Sequence, residues 1–182
     1  MGILVGPRTR CPDVGEAGPV RRGVRVGVDV GSVRVGVATC DPEGLIATPV
    51  ETLQRGRGDL EAIGRLVADR EALEVVVGLP TTLAGRHGSA AEAAEGYAEA
   101  LAARVGVPIR LVDERLSTVG AARDLRSSGV GSRKGRSVID QAAAVIILQG
   151  ALDSERLSGT APGRVVAHAA HPGGQPPTSG AT

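Results

Sequence analysis

The chain contains no phenylalanine and no tryptophan, and Tyr97 is its only aromatic residue. Stacking of bases on aromatic platforms is therefore excluded as a main mode of recognition, which leaves backbone and shape. Lysine is nearly absent as well: Lys134 stands alone among 21 basic residues, so a phosphate would be gripped by planar arginine forks. The two cysteines, Cys11 and Cys40, and three histidines show neither a CxxC nor a Cys/His spacing, which argues against a zinc site and a disulfide framework. A reducing cytoplasm is the expected compartment. No apolar run approaches the ~18 residues of a membrane span, and Met1 to Val5 is too short for a signal-peptide core. No charge of either sign dominates. The net charge of +1 means that a nucleic-acid surface must be built locally, by clustering arginines.

What is present suits one domain. A chain of 182 residues with 42% apolar content can bury a core, but it leaves no room for two catalytic domains. Residues 1–22 and 157–182, rich in Gly, Pro and small residues without a sustained period, are expected to be disordered tails around a folded domain at 23–156. Val24, Val26, Val28 and Val30 alternate, Gly31-Ser32 interrupts, and Val33, Val35 and Val37 alternate again, which predicts two strands joined by a tight turn. A third strand is expected at Ile46 to Leu53. Leu60, Ile63 and Val67 follow Asp59 at helical spacing, with Asp59 as the expected N-cap.

The continuous run Glu74 to Pro80 suits a strand buried on both faces. An alanine-rich helix follows with Ala90, Ala94, Tyr97, Leu101 and Val105 on one stripe, then a strand at Ile109 to Val112. Ser117 or Thr118 is expected to cap a further helix through Leu125, and Val138 to Leu152, apolar nearly all round, reads as a helix inside the domain. The order implies an α/β fold with one mixed, five-stranded sheet and helices on both faces.

Three carboxylates stand out. Asp29 lies inside the first strand, opposite its valines and between Gly27 and Gly31, where an ionised group is costly to desolvate unless paired or bound to a cation. An ion pair with Arg25 or Arg34 is the bland explanation. Asp113 and Glu114 close a later strand; their side chains point to opposite faces, so only one can share a site with Asp29. Asp140 is the one charge between Ser137 and Leu152, near the start of the last helix, where it could simply favour the first turn. Held together, such carboxylates would repel without bound cations, and an oxygen-only ligand set suits Mg2+ or Mn2+. The chemistry that follows is in-line hydrolysis of a phosphodiester. It requires the three to meet at one place.

Four strings in register, Asp29 to Gly31 (DVG), Val77 to Pro80 (VGLP), Asp113 to Thr118 (DERLST) and Arg133 to Asp153, resemble the YqgF/RuvX family, known both as pre-16S rRNA nuclease and as Holliday junction resolvase. The resemblance covers about Val24 to Arg156. It implies a ribonuclease H-like fold, a cytoplasmic nuclease with a divalent metal, and a role in maturing the 5′ end of 16S rRNA. It also implies catalytic and metal-ligating roles for Asp29, Glu114 and Asp140, choosing Glu114 over Asp113. The implied partner is structured nucleic acid, precursor rRNA or branched DNA, with no membrane; monomer and homodimer are both compatible.

Around Asp140 the segment Gly129 to Ser137 carries Arg133, Lys134 and Arg136, which with Arg115 form the expected nucleic-acid grip, although a solvated basic loop is the bland reading. Arg123 and Arg126 read as ordinary helix residues, His87 as an exposed loop histidine, and Cys40 as a buried small hydrophobe. Other classes remain to be weighed: an ATPase of the sugar kinase, actin and chaperone kind, which needs two such domains, and a non-catalytic ribosome-assembly factor.

Overall fold

The computed structural model describes residues 21–80, 88–114 and 133–166, with only the backbone path for 133–138. Strands β1 (Arg25–Val30), β2 (Arg34–Cys40) and β3 (Ala47–Gln54) form an antiparallel meander. The turn between the first two closes where the Gly31 N–H donates to the Arg34 carbonyl at 2.9 Å. Val33 belongs to that turn and is exposed, so the second valine series starts at Val35 rather than at Val33.

Helix α1 (Asp59–Asp69) then leads to β4 (Glu74–Leu79), and α2 (Ser89–Ala102) to β5 (Ile109–Asp113), so that β1, β4 and β5 run parallel. The long helix α3 (Arg133–Ser158) crosses the sheet, and β6 (Arg164–Val165) pairs antiparallel with β5. The sheet order is β3-β2-β1-β4-β5-β6.

The sheet has six strands, not the five expected. The sixth comes from a segment that the sequence assigns to a tail, and its two residues are both exposed, so no hydrophobic alternation marked it. Gly163 makes the pairing feasible: it sits at φ 76, and a Cβ there would meet the Leu111 carbonyl oxygen at 2.1 Å. Val166 follows, buried, its N–H bonded to the Ile109 carbonyl.

Helices cover both faces, as expected. Val26, Val28, Val75 and Val77 point towards α1 and α2 and pack with Ile63, Ala94, Ala98 and Leu101. On the other face Ala38, Val76 and Val112 meet Ala144, Ile147, Leu148 and Leu152 of α3. The buried stripe of α2 runs through Ala91, Ala94, Ala98 and Leu101; Ala90 is exposed, one position off the expected face. The N-cap of α1 is Gly58, in the left-handed region, and not Asp59. The expected helix over 117–125 lies outside the described residues, as do His87 and Arg115.

Candidate active site

Gly27 shows which face of β1 looks at α3, because a Cβ on it would meet Leu148 Cβ at 2.7 Å and the Ala144 carbonyl at 3.1 Å. Side chains alternate along a strand, so Asp29 points to the same face two residues on. Asp29 is 3% exposed. Its antiparallel partner is Gly36 on β2, where a Cβ would lie 2.1 Å from the Asp140 carbonyl oxygen. The backbone of α3 thus comes down onto the sheet beside Asp29, and only a residue without a side chain admits it.

The other flank is built in the same way. Val28 pairs with Val77 in parallel register, which places Gly78 of β4 one step further along, beside Asp29. A Cβ on Gly78 would meet Ile147 Cδ1 at 2.5 Å and Glu114 Oε1 at 3.1 Å. Gly36, Asp29 and Gly78 therefore form a row across three strands, with the Asp140 turn over one end and the Glu114 carboxylate over the other. At a strand spacing of about 4.8 Å this row spans roughly 10 Å. It lies at the carboxyl ends of the parallel strands, where open α/β sheets place their ligands.

Burial of the three glycine positions is made tolerable by α3. Each strand glycine costs about 0.5–1 kcal/mol in backbone entropy. Ile147, Leu148 and Leu152, at most 2% exposed, offset this at roughly 1.5–3 kcal/mol each.

The choice between Asp113 and Glu114 follows from register. Val112 packs in the cluster under α3 and Leu111 in the opposite cluster, so Glu114 shares the face of Asp29 and Asp113 the other face. Glu114 is 8% exposed. Asp140 sits seven residues inside α3, two turns later than its expected place in the first turn, and its Oδ2 accepts a hydrogen bond from Arg34 Nε at 2.7 Å.

Asp29, Glu114 and Asp140 thus share one face and one end of the sheet. Among the described residues, no group of three or more His, Cys, Asp or Glu side chains is gathered so as to hold a metal ion. The donor chemistry fits a hard divalent cation, since all three are carboxylates and two are buried beside a position that only glycine fills.

Of the two arginines foreseen as partners of Asp29, Arg34 pairs with Asp140, and Arg25 with Glu74 and Glu155. Residues 133–137 are not loop but the opening turns of α3, so Arg133, Lys134 and Arg136 precede Asp140 in the same helix. Sequence reasoning offered Arg34 only as a partner of Asp29, not of Asp140, and gave Gly36 and Gly78 no part in the site. Gly36 had a signal, because folding the valine series back across the Gly31 turn sets it opposite Asp29.

Residues 23–154 match the model of a family described as RuvX, Holliday junction resolvase. A protein from Nocardioides sp. named "Putative pre-16S rRNA nuclease" is 56% identical over 153 residues, covering 81% of this chain and 98% of the relative. One of the same name from Streptomyces coelicolor is 58% identical over 152 residues, 81% of this chain and 90% of its own length. Among solved structures, T. thermophilus RuvC in complex with Holliday junction substrate superposes with a TM-score of 0.53 at 15% identity, covering 78% of this chain and 99% of that one. At that identity the likeness shows the fold, which is ribonuclease H-like.

Proposed function

The chain belongs to the RuvX family, and on that premise we propose that it processes the 5′ end of precursor 16S rRNA in the cytoplasm, using Asp29, Glu114 and Asp140 as ligands of Mg2+ or Mn2+. Membership makes it a nuclease, a hydrolase of phosphodiester bonds. No helix among the described residues is long and apolar enough to cross a membrane. The reading of the site is supported above all by one observation: Asp29 is buried in mid-sheet between two side-chain-free positions, one under the Asp140 turn and one against the Glu114 carboxylate.

Asp29 is the fixed point of the mechanism, since the central strand gives it no freedom to withdraw. Glu114, just past the end of β5, is set against Gly78 on the flank of Asp29 opposite to Asp140. Asp29, Glu114 and Asp140 would hold divalent cations, which when bound would supply activation of a water and neutralisation of the leaving oxygen. Arg115, Arg133, Lys134 and Arg136 are assigned to substrate phosphates, and three of them stand within the two turns of α3 that precede Asp140. The RNA substrate is favoured by the name carried by relatives that are 52% to 58% identical.

The test is cleavage of precursor 16S rRNA and of a four-way DNA junction by the purified protein with Mg2+. The expected result is cutting of the rRNA at its 5′ side, abolished by chelation and reduced at least ~100-fold in Asp29→Asn. Cutting of the junction alone overturns the RNA assignment, and full activity of Asp29→Asn overturns the site.

A further inference from the structure

Arg34 opens β2 two residues before Gly36, so the two positions share the face that looks at α3. Its guanidinium Nε–H donates to Asp140 Oδ2 at 2.7 Å, and the two side chains are 21% and 17% exposed. The contact joins residues 106 apart in sequence, at the place where the α3 backbone presses on Gly36. A cation therefore already stands beside Asp140, at one end of the row of carboxylates. The Asp140 backbone over Gly36 and the Glu114 carboxylate against Gly78 set three carboxylates around one row of the sheet, and a fixed cation at its end offsets part of their mutual repulsion.

We propose that Arg34 is the internal counter-cation of this site: it holds Asp140 while no divalent ion is bound and competes with that ion for the Asp140 carboxylate. The inference rests on the assignment of Asp29, Glu114 and Asp140 as metal ligands. An arginine suits the part because it never loses its charge and its fork can let go of one oxygen without leaving the neighbourhood. Competition and simple positioning predict opposite signs. If the guanidinium only steadied Asp140, its removal would leave a wandering ligand and weaken ion binding. As a rival cation, its removal strengthens ion binding, by about tenfold for a partly screened unit charge at this range.

The experiment titrates Mn2+ alone into the full chain by calorimetry, comparing wild type with Arg34→Gln and Asp29→Asn. Arg34→Gln is expected to bind Mn2+ about tenfold tighter than wild type, and to melt lower than wild type in chelator, with the gap closing in Mg2+. Unchanged or weaker Mn2+ affinity in Arg34→Gln overturns the proposal. A second readout needs no folded variant of Arg34: the Nε–H resonance of Arg34 in wild type must shift as Mg2+ is added, and a resonance that stays in place also overturns it. Asp29→Asn separates the two levels, because Mn2+ binding equal to wild type there would show that the ligand assignment is at fault, whatever Arg34→Gln does.

Discussion

Asp59 follows two glycines and precedes an apolar helical series, so its short carboxylate looks like a cap. Gly58 takes the cap position in the left-handed region, and Asp59 becomes the first residue of α1, buried. Its Oδ1 accepts from the Gly56 N–H at 3.1 Å and its Oδ2 from the Tyr97 hydroxyl at 2.9 Å. Burial, and then this bond, push the Tyr97 hydroxyl well above its ordinary range. Tyr97→Phe keeps the ring over which Arg55 sits but removes the donor. It should lower stability by about 1–2 kcal/mol, read as a lower urea midpoint at unchanged slope, with cleavage intact. A midpoint equal to wild type would show that the buried carboxylate does not depend on this hydroxyl. Among single residues, Asp29 was legible because a charge amid alternating valines has no cheap explanation. Arg34 was not, since its partner stands on another element that only the folded sheet brings near.

The glycines of β1, β2 and β4 carry the argument to the level of elements. Strand propensity alone would replace them by valine, yet α3 lies directly on three of them. At Gly36 the obstacle to a Cβ is backbone, the Asp140 carbonyl at 2.1 Å, and no rotamer change relieves it. Gly36→Ala must push the first half of α3 off the sheet and carry Asp140 away from Asp29. A loss of about 3 kcal/mol in stability is expected, with cleavage falling further than stability explains. Gly96, exposed on α2 with nothing within 4 Å of its would-be Cβ, supplies the contrast. Gly96→Ala should stabilise by about 0.5–1 kcal/mol and leave cleavage unchanged. Parallel thermal melts and cleavage assays on both variants decide the matter; two variants with equal melting shifts would remove the packing explanation. Strand alternation located β1 and β2, a continuous β-branched run located β4, and the helix stripe located α1 and α2. The two-residue strand β6 had no apolar periodicity to show, and the early turns of α3, polar and glycine-bearing, read as loop for want of it.

Across the whole molecule, charge is sorted to the two ends of the parallel strands. The carboxylate row lies at the carboxyl ends. At the amino ends Arg25 of β1 pairs in register with Glu74 of β4, and both are at most 2% exposed. Glu155 of α3 joins them, held by Arg21 and Arg25, while Arg110 of β5 reaches Glu74 at 3.1 Å. This network ties the entry to β1 and the second half of α3 to the sheet. The sequence concealed it because Arg25 had a nearer candidate partner in Asp29, and pairing across 130 residues leaves no local signature. Burial pushes the Glu155 carboxyl up, but the hydrogen bonds from the Arg21 side chain and backbone, with the charge of Arg25, outweigh it and hold the group below its ordinary value. A carboxylate depressed in the folded state stabilises the fold above its unfolded value, about 4.3 for glutamate, and loses that contribution as pH falls through the folded value. Glu155→Gln leaves Arg25 buried with half its counter-charge and should cost about 3 kcal/mol at neutral pH. Because glutamine cannot titrate, the gap between variant and wild type should narrow as the pH is taken from neutrality to about 3. Urea unfolding at both pH values measures it. A gap that stays constant would mean that Glu155 contributes through packing and not through its charge.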